Sequence, residues 1–233
     1  MRPLFLLLLA IRAIAAAPVT ASAQNQEYII LSGGVSLYQW EKYKAQPHDG
    51  WWMNFIRAAR LRIQELQAER GRDYPITWLV FVDAYRTRSK QENADLISNI
   101  ASVRDAYGVK LVYFDKGSEV INYLNNGRPR DQVKIVGFEY FGHSNKACFM
   151  FDYSNNIDSA SKVWLHEKEL AQIKRGIFAR DAFVKSWGCH TGESMSRKWQ
   201  AATGTKMIGA IGKTQYRTEE LPMLSSANGR WVQ

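Results

Sequence analysis

The chain has 233 residues, of which 46% are hydrophobic and 23% are charged, a balance typical of a globular domain with a sizeable core. Its 31 basic and 22 acidic residues give a formal net charge of +9, but no basic tail or zinc-finger spacing accompanies that charge. Such a charge favours acidic surfaces or anionic polymers as neighbours. Because no nucleic-acid-binding motif accompanies it, the charge is interpreted as a solvated surface and nucleic acid is not expected as a partner.

Residues 1–23 predict a secretory signal peptide. Arg2 precedes an apolar run at 4–10, and the segment closes at 21–23 on Ala-Ser-Ala, an Ala-x-Ala cleavage pattern. The apolar run is shorter than the roughly 20 residues of a membrane span, and Arg12 interrupts it. We therefore expect an exported protein, periplasmic or secreted, with no stable membrane insertion after cleavage.

The remaining residues, 24–233, predict one domain. Its N-terminal part, 24–74, contains a strand at 28–31 and a helix from 51 to about 69. The core spans 75–213, and the last stretch, 214–233, shows no periodicity and is interpreted as an irregular tail.

Strands and helices alternate through the first half of the core. Strand patterns lie at 76–82, 109–114 and 133–143, and helix patterns lie between them at 89–107 and 119–124. Such alternation is typical of parallel strands joined by right-handed crossovers. The fold class predicted is α/β, a three-layer α/β/α sandwich with a mostly parallel six-stranded sheet.

The pattern changes after residue 143. A hairpin is predicted from strand-like residues 147–153 and a turn at 155–156, and the segments that follow are a helix at 166–175, a strand at 183–187, a helix at 194–203 and a strand at 206–211.

Two of the predicted strands end on residues that carry chemistry. One ends on His143, and the other is followed at its turn by Cys189. Since neighbouring parallel strands end at one edge of the sheet, the thiol and the imidazole are expected to meet there as nucleophile and base. The backbone N–H groups of Cys189 and Ser144 would then stabilise a negatively charged oxygen, and Gly142 and Gly188 would leave room for a peptide.

The segments Tyr140-Phe141-Gly142-His143 and Cys189-His190-Thr191-Gly192 resemble the metacaspase and paracaspase branch of the caspase-fold (clan CD) cysteine peptidases. The similarity covers roughly residues 76–211. It implies a caspase-like sheet, a peptide or protein substrate, no cofactor, and endopeptidase activity with Cys189 as nucleophile and His143 as general base.

The chain departs from that family at two positions. Ser144 stands where the family has a glycine after the histidine, and Trp187 stands where it has an aspartate that helps to bind a basic side chain. A preference for cleavage after Arg or Lys is therefore not expected. Trp187, His190 and Glu193 are candidates for substrate contact, with His190 shaping the turn rather than acting as base.

Other interpretations remain open. Cys148 and Cys189, the two cysteines of the chain, would form a structural disulfide in an oxidising compartment. A metal site from His143, Cys189, His190 and Glu193 lacks the usual ligand spacing, so no metal is predicted. A serine nucleophile elbow at Ser144 is excluded because Lys146 stands where that motif needs glycine.

Two alternative functions accompany the peptidase. One is an inactive caspase-fold domain that binds a peptide or a cell-envelope partner. The other is a cysteine amidase or transpeptidase that acts on cell-wall peptides. The sequence gives no oligomeric state and no cleavage preference.

Overall fold

A computed structural model describes residues 25–35, 51–152, 162–216 and 219–233. The strands in these ranges are, in chain order, β1 (Gln26–Ser32), β2 (Ile76–Phe81), β3 (Lys110–Phe114), β4 (Lys134–Phe141), β5 (His143–Ser144), β6 (Cys148–Met150), β7 (Trp164–His166), β8 (Phe178–Ser186), β9 (Gly209–Ile211), β10 (Thr214–Gln215), β11 (Met223–Leu224) and β12 (Arg230–Val232). The α-helices there are α1 (Asn54–Arg70), α2 (Val82–Glu92), α3 (Leu96–Tyr107), α4 (Gly117–Asn126) and α5 (Met195–Thr203).

The central layer is a parallel sheet of five strands in the order β3-β2-β1-β4-β8, and helices flank it in a three-layer α/β/α sandwich. The predicted fold class is confirmed. Every residue of β2 is buried, because covered parallel strands have no wet face. The strand order reverses between β1 and β4, which makes the carboxyl ends of these strands the usual place for a site in this architecture.

The sixth strand, predicted at 206–211, contributes a single β-bridge to the central sheet. Ile208 pairs with Lys185 of β8 in parallel, and the chain then continues into β9. Strand β9 pairs antiparallel with β12 instead of extending along β8. The five-stranded sheet therefore has a single bridged residue where a sixth strand was expected.

The predicted helix at 89–107 is two helices, and the first begins directly after β2. The break falls at Asn93, which adopts a left-handed conformation with φ 50°. Ser89 Oγ accepts the Leu96 N–H at 3.2 Å, and Asp95 caps α3 by accepting the Ser98 N–H at 2.9 Å. Ser89 and Asp95 therefore accept backbone N–H groups at the junction of α2 and α3, although the apolar pattern of the sequence continues across it.

The prediction of a helix at 166–175 is wrong. The segment holds the last residue of β7 and a single 3₁₀ turn, Glu169–Gln172. Glu169 turns back to accept the His166 N–H at 2.7 Å, so its carboxylate stabilises a turn directly after the strand. The predicted hairpin corresponds to the antiparallel strands β6 and β7, and its turn at 155–156 lies outside the described residues. Strand β5 adds a third strand that the sequence did not predict.

The tail interpreted as irregular contains three short strands. Strands β10 and β11 pair antiparallel, and β12 covers β9. Their residues are only partly buried and follow no clear alternation, which is why periodicity failed to find them. This tail packs beside β8 and brings residues to the sheet edge described next.

Within the described ranges, none of the helices combines the length and the apolar character that crossing a membrane requires.

Candidate active site

Strands β4 and β8 end level at the carboxyl edge of the sheet. Tyr140 lies opposite Ser186 in the parallel register, and the Trp187 N–H donates to the Tyr140 carbonyl at 2.9 Å. His143 and Cys189 each follow this matched pair by three positions. The two residues predicted from the sequence therefore follow strand ends that lie side by side at the carboxyl edge of the sheet.

The segments that carry these two residues touch directly. Ser144 Oγ donates to the Cys189 carbonyl at 2.7 Å. A Cβ atom added at Gly188 would lie 2.1 Å from Ser144 Oγ and 3.1 Å from the Gly142 carbonyl, so no larger residue fits without movement. Gly188 is thus required by packing inside the protein, rather than by the approach of a substrate as the sequence suggested.

His143 does not end a strand of the central sheet. Strand β4 stops at Phe141, the chain turns at Gly142, and His143 begins the small antiparallel sheet as the first residue of β5. A Cβ atom at Gly142 would lie 2.3 Å from the Tyr140 hydroxyl, so the absence of a side chain permits the turn. The imidazole therefore sits on a hairpin that leaves the sheet edge.

Aromatic rings hold the half-buried imidazole of His143 in place. Phe55 of α1 meets it edge to face with 5.0 Å between ring centroids, and Phe55 meets Tyr216 in the same way at 4.8 Å. The Tyr216 hydroxyl accepts the Gly142 N–H at 2.9 Å. Helix α1 and the tail thus fix the histidine turn from two directions.

Tyr140, near the end of β4, also stabilises the turn that carries His143. Its hydroxyl donates to the His143 carbonyl at 2.6 Å. Burial raises the pKa of Tyr140 well above its ordinary value, and the neighbouring Tyr216, Tyr85 and Cys189 raise it further. The phenol therefore stays protonated and remains a permanent donor to the histidine backbone.

Thr214 holds the half-buried thiol of Cys189. Its backbone N–H lies 3.4 Å from the sulfur and its hydroxyl oxygen 3.6 Å away. The same hydroxyl donates to the Trp187 carbonyl at 2.8 Å, so one residue of β10 fixes both ends of the cysteine turn. Neither Thr214 nor Tyr216 carries a sequence signal, and Phe55 is indistinguishable from the other core residues of the apolar stripe of α1.

The backbone N–H groups of Cys189 and Ser144 are not taken up by the described secondary structure. The Cys189 N–H meets no acceptor in the parts of the chain that the structure describes. In the hairpin, the Asn145 N–H donates to the Cys148 carbonyl, so the next pair, Ser144 and Phe149, is a non-hydrogen-bonded one. The Ser144 N–H therefore points out of the hairpin.

The other two backbone positions predicted from the sequence are occupied. The Gly142 N–H is bound by Tyr216, and the Gly188 N–H faces Ser186 Oγ at 3.3 Å. Their amides consequently serve the internal packing of the site.

His190 shapes the turn after the cysteine. It has a left-handed φ of 62°, and its N–H donates to the Gly212 carbonyl at 2.8 Å. Its Nδ1 lies 2.6 Å from a carboxylate oxygen of Glu193, and this hydrogen bond lowers the pKa of Glu193. The two candidate contact residues are therefore held together, which fixes the chain directly after Cys189.

A cleft of about 450 Å³ opens beside this turn. Its lining consists of Asn145, Lys146, Ala147, Cys148, His166, His190 and Glu193. The cleft lies beside the histidine hairpin and the cysteine turn, and its lining includes neither His143 nor Cys189.

Trp187 is buried and cannot reach a substrate from its present position. Its exposed fraction is 8%, and its ring stacks on Phe141 with 5.8 Å between centroids. The indole N–H donates to the buried carboxylate of Glu139 at 2.6 Å, and Arg62 donates to the same group at 2.5 Å. The prediction that Trp187 contacts the substrate is therefore wrong. Its side chain instead anchors the end of the strand that leads to Cys189.

Both cysteines are free thiols, so the structure does not contain the disulfide left open by the sequence. Cys148 of β6 lies opposite His166 of β7. Its half-burial raises its pKa to about 11, and the carboxylates of Glu167 and Glu169 add to that effect. Among the described residues no cluster of three or more His, Cys, Asp or Glu side chains is arranged to hold a metal ion.

Comparison of the chain with protein families, with characterised proteins and with solved structures found no match.

Proposed function

We propose that this chain is a caspase-like cysteine endopeptidase in which Cys189 is the nucleophile and His143 the general base. The observation that carries the proposal is the contact between the two strand ends, in which the register of β4 and β8 and the bond from Ser144 to the Cys189 carbonyl hold the two turns together. A histidine beside a cysteine supplies the base that converts a weakly ionised thiol into a nucleophile.

The reaction proceeds through a thioester. The sulfur of Cys189 attacks the peptide carbonyl carbon while His143 takes the thiol proton, and the carbonyl oxygen becomes negatively charged. The N–H groups of Cys189 and Ser144 are the donors available to that oxygen. As the C–N bond breaks, His143 gives its proton to the leaving amine.

Water completes the cycle. His143 takes a proton from water, the resulting hydroxide attacks the thioester carbonyl, and the C–S bond breaks to give the carboxylic acid product. The thiolate of Cys189 regains its proton from His143. The cleft of about 450 Å³ beside the two turns is the proposed site for the side chains beside the scissile bond.

Export through residues 1–23 is part of the proposal, so the enzyme would act outside the cytoplasm on a peptide or protein substrate. The absence of an acidic residue at position 187 supports a substrate without a required basic side chain. Among the described residues, Glu193 is the one carboxylate in the lining of the cleft, and it is already bound by His190, which agrees with this expectation.

The test is reaction of the purified mature chain with a panel of peptidyl electrophiles and a peptide library, both read by mass spectrometry. Unaltered protein and Cys148→Ala should be labelled once, at Cys189, and should cleave the library. Cys189→Ala should do neither. Labelling of Cys189→Ala at the unaltered rate, or an unaltered protein that is neither labelled nor active, would remove the proposal.

The same experiment separates the alternative functions. An amidase or transpeptidase would be labelled at Cys189 but would act on cell-wall peptides, and a transpeptidase would join the acyl group to an added amine. A binding domain would retain a peptide without cleaving it and would bind equally well as Cys189→Ala.

A further inference from the structure

The edge of the sheet opposite the candidate active site carries a strongly basic cleft. Its volume is about 520 Å³, and it lies where β4 begins with Lys134 and where Gly176 and Ile177 lead into β8. Four cationic residues that have no carboxylate partner among the described residues line it: Arg128, Lys134, Lys174 and Arg175. In the described parts of the chain, the one carboxylate in this lining belongs to Asp131.

The charges of this cleft are held in place but not neutralised. Lys134 Nζ donates to the Gly176 carbonyl at 2.7 Å, and Lys174 Nζ donates to the Asn126 side-chain oxygen at 3.0 Å. Arg175 donates to the Ala201 carbonyl at 2.7 Å. Each of these acceptors is neutral, so these three side chains are held by hydrogen bonds that do not compensate their charge.

Arg130 shows the contrasting arrangement in the same cleft. It is buried and bonded at 2.6 Å to the buried carboxylate of Glu27, so its charge is compensated within the protein. The four cations around it have no such carboxylate partner among the described residues.

The basic surface continues beyond this cleft. A second cleft, of about 350 Å³, shares Arg128 with the first and adds Arg72 and Lys110. Arg72 donates to the Ala106 carbonyl at 2.9 Å and Lys110 to the Tyr123 hydroxyl at 3.1 Å, so both cations also bind neutral oxygens. Its carboxylates are Asp73 and Glu27, of which Glu27 is already committed to Arg130. Cationic side chains therefore line both of these adjoining clefts, at the sheet edge opposite the candidate active site.

We propose that these two clefts form one groove that binds a linear oligophosphate. A chain of phosphate groups matches a row of fixed cations better than a single ion does, because each added phosphate meets a further uncompensated charge. The guanidinium groups offer paired donors with the geometry of phosphate oxygens, and the lysines add point charges. The groove lies on the edge opposite Cys189, so an occupied groove leaves the candidate active site accessible.

The test is calorimetric titration of the mature chain with long-chain polyphosphate, tripolyphosphate and orthophosphate at several salt concentrations. Affinity should rise with chain length and fall with salt. The variant Lys134→Gln/Lys174→Gln should bind long-chain polyphosphate about tenfold more weakly, and two lost phosphate contacts should reduce the slope of log affinity against log salt by about 1.4.

The matched control is Lys90→Gln/Lys168→Gln, which removes the same charge from two exposed lysines outside both clefts. It should change the affinity by less than about twofold. Equal losses in the two variants, absence of binding at low salt, or equally tight binding of polyglutamate would each overturn the assignment. Because both lysine pairs lie outside the candidate active site, the result is independent of the proposed peptidase activity.

Discussion

The two cysteines of this chain lie close to the same cleft but in opposite chemical surroundings. Cys148 faces carboxylates, and partial burial together with Glu167 and Glu169 raises its pKa to about 11. Cys189 instead receives an N–H from Thr214 and lies on a turn bonded to the histidine hairpin. Both thiols are half-buried, so the two differ in the charges and hydrogen-bond partners around them rather than in burial.

The largest expected effect comes from removing the imidazole proposed to activate Cys189. His143→Asn should slow alkylation of Cys189 at pH 7 by about 10²-fold or more, since general-base assistance contributes at least that much. The rate is measured by stopped alkylation and peptide mass spectrometry. The shape of the pH profile of the rate should also change, which loss of a merely structural role would not cause.

His190→Asn is the matched control for that variant. It removes the other imidazole next to the thiol, and asparagine tolerates the left-handed φ of this position. The rate should stay within about threefold of the unaltered protein. If the alkylation rate fell more in His190→Asn than in His143→Asn, the assignment of His143 as the base would be wrong.

A smaller effect is expected from separating the two turns. Gly188→Ala places a Cβ atom against Ser144 Oγ, so the free energy of unfolding should fall by about 1–3 kcal/mol and Cys189 alkylation should slow. Chemical denaturation and the alkylation rate measure the two effects.

The double variant Gly188→Ala/Ser144→Gly tests whether that contact is the cause. It removes the clashing side chain and should recover part of the lost stability, with the remainder due to the Gly142 carbonyl at 3.1 Å. If the losses of the two single variants simply add, the hairpin and the turn are not coupled as the structure places them.

The smallest effect concerns the unreactive thiol. Because the folded pKa of Cys148 is raised, its contribution to stability is complete below the unfolded value, about 8.5, and is lost as the pH rises towards about 11. The free energy of unfolding of Cys189→Ala should therefore decline between these values more steeply than that of Cys148→Ala/Cys189→Ala. Identical pH dependences would show that neither burial nor the two carboxylates raise the pKa of Cys148 in the folded protein.

The sequence predicts those strands and helices whose hydrophobic residues recur with a regular period. The all-buried run of β2 and the alternation of strands and helices lead to the parallel sandwich, and the positions of His143 and Cys189 after neighbouring strands follow from it. The division into α2 and α3 is missed because Asn93 interrupts the chain without interrupting the apolar pattern.

The supporting residues of the candidate site are harder to predict for a different reason. Thr214 and Tyr216 lie in a tail without periodicity, and they reach the thiol and the histidine turn only because β9 leaves the sheet after the bridge at Ile208. Trp187 is misread as a contact residue since only the fold shows its indole bound to Glu139. Such long-range contacts leave no local pattern.

The comparison of the two thiols is tested most directly by measuring the alkylation rate of each cysteine in the unreduced mature protein at pH 7, resolved by peptide mass spectrometry. At that pH a thiol with a pKa of about 11 is ionised in only about one molecule in 10⁴. Cys189 should therefore react at least about 10²-fold faster than Cys148. Equal rates, a faster Cys148, or a disulfide between the two cysteines would contradict the account.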